Sequence, residues 1–242
     1  MTVKLERIHV PKTCDVVADH LRKQILEGAY ADGSPLPAER ELVGQTGVSR
    51  GSVREALRIL QAEGLVQTRP GKLGGSIVRR PGDDSLARHL GLFVHGRGIA
   101  LESLLQARLA IEPPIAALGA QNRTDEDLRL LAEVTRRVEH AIADTPRFLA
   151  ENVQWHCALA VASHNEILRG FIVAISSLIH KASAIEDFAS DEIRAAVIKA
   201  HRRIVEAIVA QDGEAASRRM TRHLQALTQQ IKAFAPANAL LR

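Results

Sequence analysis

Apolar residues recur every three or four positions through most of this 242-residue chain, which is the spacing of amphipathic helices. In the first third Val17, Leu21 and Ile25 share one helical face, and Gly28 is placed to stop that helix. Pro37 suits the first position of a second helix over residues 38–45, with Leu42 inward. Gly47-Val48-Ser49 then makes a tight turn into a third helix carrying Val53, Leu57 and Leu60 on one face, with Gly64 at its end. Ser49 is its candidate N-cap, although Ser52 to Glu55 also fits a capping box. Leu65 to Thr68 and Ser76 to Val78 have β character and flank a Gly-rich basic stretch, as in a hairpin with a flexible tip. Three helices and a hairpin over residues 10–80 make a winged helix-turn-helix.

After the Arg79-Arg80-Pro81-Gly82-Asp83-Asp84 run the texture changes, and residues 81–84 read as a linker. From Ser85 onward Ala, Leu, Ile and Arg repeat at helical spacing, with breaks only at short polar turns. Six or seven helices fit: about Ser85–Val94, Ala100–Gln121, Thr124–Ala143, Thr145–Ala162, Asn165–Ala189, one capped by Ser190 and one capped by Asp212 that runs to Phe234. Helices this apolar with loops this short pack as an antiparallel bundle. The predicted fold class is therefore mainly α, a winged helix-turn-helix followed by an all-helical domain over residues 85–235.

Composition sharpens the division. Residues 1–80 hold 13 basic and 9 acidic side chains, whereas residues 81–242 hold 19 of each, so the whole net charge of +4 lies in the first third. That asymmetry suits a polyanion-facing module joined to a neutral one. Only seven residues are aromatic and residues 1–80 contain just Tyr30, which argues against a single-strand binder that stacks bases on rings. Two cysteines, Cys14 and Cys157, form no CxxC motif or disulfide framework. No run approaches the ~20 apolar residues of a membrane span and the first residues do not resemble a signal peptide. The expectation is a soluble cytoplasmic chain with no membrane partner.

A recognition helix enters the major groove with its first turn against base edges. Ser49-Arg50-Gly51-Ser52-Val53-Arg54 suits that role: Arg50 and Arg54 lie four apart on the outward face while Val53 and Leu57 anchor the other. Arginine reads guanine O6 and N7 with two parallel hydrogen bonds, and N–H groups of the same turn can hold a phosphate. Arg40 could reach the groove or the flanking backbone, and Gly71 and Lys72 suit minor-groove or phosphate contact. Arginines on a surface often do no more than solvate it, but here turn, cap, arginines and basic tip agree on one geometry.

Polar residues interrupt the apolar stripes of the second domain. His156 lies on the stripe of Leu149, Val153 and Ala160, with Asn152 one turn earlier; His201 lies among Val197, Ile204, Val205 and Ile208; His223 lies among Met220, Leu224, Leu227 and Ile231. A lone inward histidine is usually bonded to a carbonyl. Three imidazoles and one oxygen converging in a bundle would form a first-row metal site with open positions. Arg108 and Glu112 form an i, i+4 pair, which on a surface contributes ~0.3–0.5 kcal/mol. Leu104, Leu105, Ile111 and Ile115 lie close by, Pro113 and Pro114 remove two N–H donors and favour a kink, and a partly buried arginine is a natural carboxylate clamp.

These motifs carry a family resemblance. Leu36-Pro37-Ala38-Glu39-Arg40-Glu41-Leu42, Gly47-Val48-Ser49-Arg50, Val53-Arg54-Glu55-Ala56-Leu57, Glu63-Gly64-Leu65-Val66 and Pro70-Gly71-Lys72 resemble the GntR family of bacterial transcription regulators. The resemblance implies a homodimer on a near-palindromic double-stranded operator, with Arg40, Ser49, Arg50, Ser52, Arg54, Gly71 and Lys72 at the DNA-contacting positions; Gly51 stands where a larger side chain is common. Arg108 to Pro113, Asn152 to His156, Ser163-His164-Asn165, His201 to Ile208 and Met220 to Leu224 are similar to the FCD effector domain of the FadR subgroup. That similarity implies a divalent metal at Asn152, His156, His201 and His223, zinc first with nickel or manganese as alternatives. It also implies a small organic acid held by the metal and by Arg108 beside Glu112. Asn152 stands where the family has Asp, and Trp155 where it has Phe. The implied function is a ligand-responsive regulator, a repressor by preference.

Two other functions compete. A metal-dependent hydrolase or lyase with an accessory DNA-binding domain could use the same histidines to activate water, but the chain has no HExxH, G-x-S-x-G, Walker or G-x-G-x-x-G motif. A constitutive architectural DNA binder would leave the inward histidines unexplained.

Overall fold

The computed structural model describes residues 10–69, 75–183 and 190–234. It divides into two compact units at Ser85/Leu86. The first contains α1 (Thr13–Leu26), α2 (Glu39–Thr46), α3 (Arg50–Ala62), β1 (Val66–Arg69) and β2 (Gly75–Val78). Val17, Leu21, Ile25, Leu42, Val53, Leu57 and Leu60 are all buried in one core, so the helical periodicity named the inward faces. α3 packs on both α1 and α2. Ser49 is the N-cap, its Oγ accepting the Ser52 N–H at 3.1 Å, and a cap of this kind contributes about 1 kcal/mol. The alternative cap at Ser52 is thereby excluded, because Ser52 lies inside the helix.

α2 begins one residue later than predicted: Ala38, its backbone still outside the helix at ψ 151°, is the N-cap and Pro37 precedes it. The helix stops where Gly47 takes φ +70°, a left-handed conformation that costs a side-chain-bearing residue about 1–2 kcal/mol. The strands pair antiparallel with Val66 opposite Val78 and Arg69 opposite Gly75. On the other edge of β2, Pro35 bridges Ile77 and Leu36 N–H reaches Ser76 O at 2.8 Å. The sequence pattern did not show this edge pairing, because Pro35 and Pro37 mask a strand signal. The predicted hairpin tip, with Gly71 and Lys72, lies outside the described residues.

α4 (Asp83–Arg97) runs across the division, so a helix starts inside the stretch read as a linker. α5 (Leu101–Asn122), α6 (Asp125–His140), α7 (Thr145–Ala162), α8 (Glu166–Ser183), α9 (Asp191–Val209) and α10 (Gly213–Phe234) complete an all-helical unit. Thr124 and Asp127 form a reciprocal capping box at the start of α6, which stops at His140 rather than at Ala143. Asp144 caps α7 and Ser190 caps α9. α8 is described as far as Ser183, and its predicted extension to Ala189 lies outside the described residues. α5 runs through Pro113 and Pro114 as one helix.

α5 packs against α7, α8, α9 and α10, which puts it at the centre of the unit. The core around it includes Ile115, Leu131, Leu159, Ile172, Ile179, Ile204, Ile208 and Met220. Arg108 and Glu112 of α5, Asn152 and His156 of α7, His201 of α9 and His223 of α10 are all buried in this unit.

Candidate functional site

The residues predicted to face DNA are placed by two neighbouring helices. Arg40 is exposed on α2, and Arg50 and Arg54 are exposed at the start of α3. The hydroxyls of Ser49 and Ser52 are 2.9 Å apart, so the cap pairs two of the predicted contact residues. One residue sits between the arginines that sequence reasoning did not connect to them. Glu39, from α2, lies 3.0 Å from Arg54 Nε and 3.6 Å from Arg50 Nε. This carboxylate lies within ion-pair distance of both guanidinium groups. Its signal was only its place in the first turn of α2.

The second constellation is buried. Arg108 and Glu112, on α5, are each 2% exposed and Arg108 Nε donates to Glu112 Oε1 at 2.5 Å. The pair is therefore a core ion pair rather than a surface one. Glu112 Oε2 lies 2.6 Å from His156 Nδ1, and Arg108 NH2 lies 3.3 Å from His156 Nε2. α7 thus delivers its histidine onto both members of the α5 pair.

α9 and α10 add His201 and His223. The rings of His156 and His201 are 5.4 Å apart, those of His201 and His223 4.9 Å, and those of His156 and His223 5.7 Å. Ligand nitrogens from all three lie within 4.8 Å of one another. Both nitrogens of His201, Nε2 of His223 and Oδ1 of Asn152 are buried with no hydrogen-bond partner among the described residues. Buried polar atoms left in this state cost about 1–3 kcal/mol each, and four in one interior are donors and acceptors that a ligand could satisfy. Trp155 was not predicted to act here except as an aromatic packing residue. Its indole stacks on His201 at 3.6 Å with the rings 5° from parallel, and its Nε1–H donates to Thr135 Oγ1 at 3.0 Å. Thr135 thereby fixes the indole, and the indole fixes the His201 ring.

Burial sets the charge states. It would raise the Glu112 carboxyl, but the charge of Arg108 and the His156 ring overcome it and hold the group far below the usual carboxylate range. Desolvation, aided by His223, His156 and Arg108, pushes His201 well below 6.5. Desolvation, with His156 and Arg108 close by, pushes His223 down to about 3. Neutral imidazoles with free lone pairs are the donor form for a divalent cation, and first-row ions accept such nitrogen ligands. The site residues therefore suit a metal, with Asn152 offering an uncharged oxygen one turn before His156. Among the described residues, no helix is long and apolar enough to cross a membrane.

Comparisons with known proteins agree with this division. Residues 13–73 match the family described as bacterial regulatory proteins, gntR family, and residues 103–226 match the FCD domain. The chain is 33% identical to the HTH-type transcriptional repressor NanR of Cronobacter sakazakii, across 91% of this chain and 88% of that one. It is 31% identical to the NanR of Escherichia coli, across 92% and 86%. Among solved structures, the Streptococcus agalactiae GntR protein superposes with a TM-score of 0.69 at 28% identity, covering 89% of this chain and 99% of that one. These are regulators, not enzymes, which removes the hydrolase or lyase reading. Two independent domain matches and the likeness of nearly the whole chain to NanR place it: this is a DNA-binding transcription regulator of the GntR family with an FCD effector domain.

Proposed function

We propose that the chain is a cytoplasmic repressor of the FadR subgroup, a homodimer on a near-palindromic operator, whose helical domain senses a small carboxylate with the help of a divalent metal. Both NanR relatives, matched over 88% and 86% of their own length, are named as repressors, which supports that direction of control. One observation carries the sensing reading: three buried imidazoles from three helices, with orphaned nitrogens, against a buried arginine. Asn152, His156, His201 and His223 would hold the ion, zinc first and nickel or manganese as alternatives. Bound there, the ion supplies positive charge that attracts a carboxylate in a water-poor interior.

The chain's own residues do the rest. Glu112 orients His156, Trp155 holds His201, and Arg108 offers its remaining N–H groups to the carboxylate. A ligand that joins α5, α7, α9 and α10 favours one arrangement of the effector domain over others. In a dimer, that preference is felt as the spacing of the two recognition helices. The test is direct. Purified protein should contain metal after incubation with zinc, nickel or manganese, and His201→Ala should contain far less. Small carboxylates should raise the melting temperature of the metal-loaded protein by mass action and should change operator affinity. Equal, negligible metal in both proteins removes the metal; carboxylates that neither stabilise the protein nor alter DNA binding remove the sensing role.

A further inference from the structure

The groove between α9 and α10 carries an inference that rests on the carboxylate-sensing reading and makes its ligand more specific. The groove has a volume of about 300 Å³, the lower end of the range for small-molecule clefts. Its floor is apolar, with Leu227 among its residues, and its rim holds Lys199, Arg203, Arg219 and Arg222 without any acidic side chain. The placement follows from helix geometry: Lys199 and Arg203 are four apart on α9, and Arg219 and Arg222 three apart on α10, so each pair shares a face. Arg219 is occupied, bonding to the carbonyl of Arg203 and lying 3.6 Å from Glu206. Lys199, Arg203 and Arg222 are exposed and have no ion pair among the described residues. Several like charges around one concavity focus an attractive field on anions.

One residue of the buried site borders the groove: His223 lines it and is 6% exposed. A molecule seated in the groove therefore lies between His223 and the basic rim.

We infer that the effector is a doubly anionic organic acid, one carboxylate on the His223 side of the groove and a second anionic group against Arg203 and Arg222. Arg203 and Arg222 then determine specificity, selecting dianions from monoanions of the same length.

The test uses the full-length protein with zinc and calorimetric titration of matched pairs: succinate against butyrate, glutarate against valerate, and glucarate against gluconate. The expected result is at least a tenfold tighter binding of the dianion in one pair or more. In the double variant Arg203→Gln/Arg222→Gln that advantage should vanish while the affinity for the monoanion is unchanged. Both side chains are exposed, and an unchanged unfolding curve verifies that the variant is folded. Equal affinities within every pair, or a variant that keeps the preference, overturns the inference and leaves the carboxylate site standing. Failure of all six acids to bind overturns the carboxylate reading and this inference with it.

Discussion

Replacing Arg108 with Met offers the sharpest test of how the effector interior is held together. Arg108 and Glu112 are each 2% exposed, and no water-facing side is left to either. Removing the guanidinium strands a carboxylate whose other close contact is His156 Nδ1 at 2.6 Å. Breaking a buried pair from one side costs about 3–5 kcal/mol, and the His156 contact places Arg108→Met towards the lower part of that range. For a unit of this size, that is roughly a 6–20 °C fall in melting temperature. Glu112→Leu alone should cost a similar amount, since it strands the guanidinium instead. The double variant Arg108→Met/Glu112→Leu should be much less destabilised than the sum of the two, because an apolar replacement of both partners removes two desolvation penalties together. Urea denaturation of metal-free protein, followed by tryptophan fluorescence, measures all three. Trp155 is the only tryptophan, is 0% exposed and lies in the effector unit, so the signal reports that unit alone. Single variants losing under about 1 kcal/mol, or a strictly additive double variant, would show that the pair is not a coupled core element.

Three further outcomes follow from the same geometry. Arg54→Lys should lose operator affinity nearly as Arg54→Ala does, by about 1–3 kcal/mol, because a lysine has no fork for guanine; a gel-shift titration that finds Arg54→Lys equal to the parent removes Arg54 from base readout. Metal-free protein should lose stability as pH falls from 7 to 5.5. The unfolded chain protonates histidine near 6.5 while His201 and His223 stay neutral in the fold, and the loss is about 1 kcal/mol for each. Glu112 contributes nothing in that window because it stays ionised to far lower pH, so a flat urea midpoint from pH 7 to 5.5 would contradict the neutral histidines. Ser49→Ala should destabilise the DNA-binding unit by about 1 kcal/mol through loss of the α3 cap, read as lowered amide protection in that unit, whereas Ser52→Ala keeps the cap acceptor and should cost less.

The local features of the fold were legible because they depend on neighbours in sequence. Val53, Leu57 and Leu60 sit three and four apart, and the face that they define is the buried one. Ser49, Thr124 and Ser190 cap helices because a short polar side chain reaches back to an N–H two or three residues on. The three inward histidines were legible for the same reason, each lying on an apolar stripe. Pairings between distant segments were not: Glu39 beneath Arg50 and Arg54, Pro35 beside Ile77, and Trp155 on His201 have no periodicity to reveal them.

By its own pattern the sequence determined that two modules exist, which helix faces point inward, and which residue types occupy them, since hydrophobic spacing and capping act over one or two turns. Only the tertiary structure decided that Arg108 and Glu112 leave water altogether, that His156 touches both, and that basic residues of α9 and α10 share one groove with His223. Those facts arise from the packing of α5 against α7, α9 and α10. Burial and charge coupling belong to that packing and to no single helix.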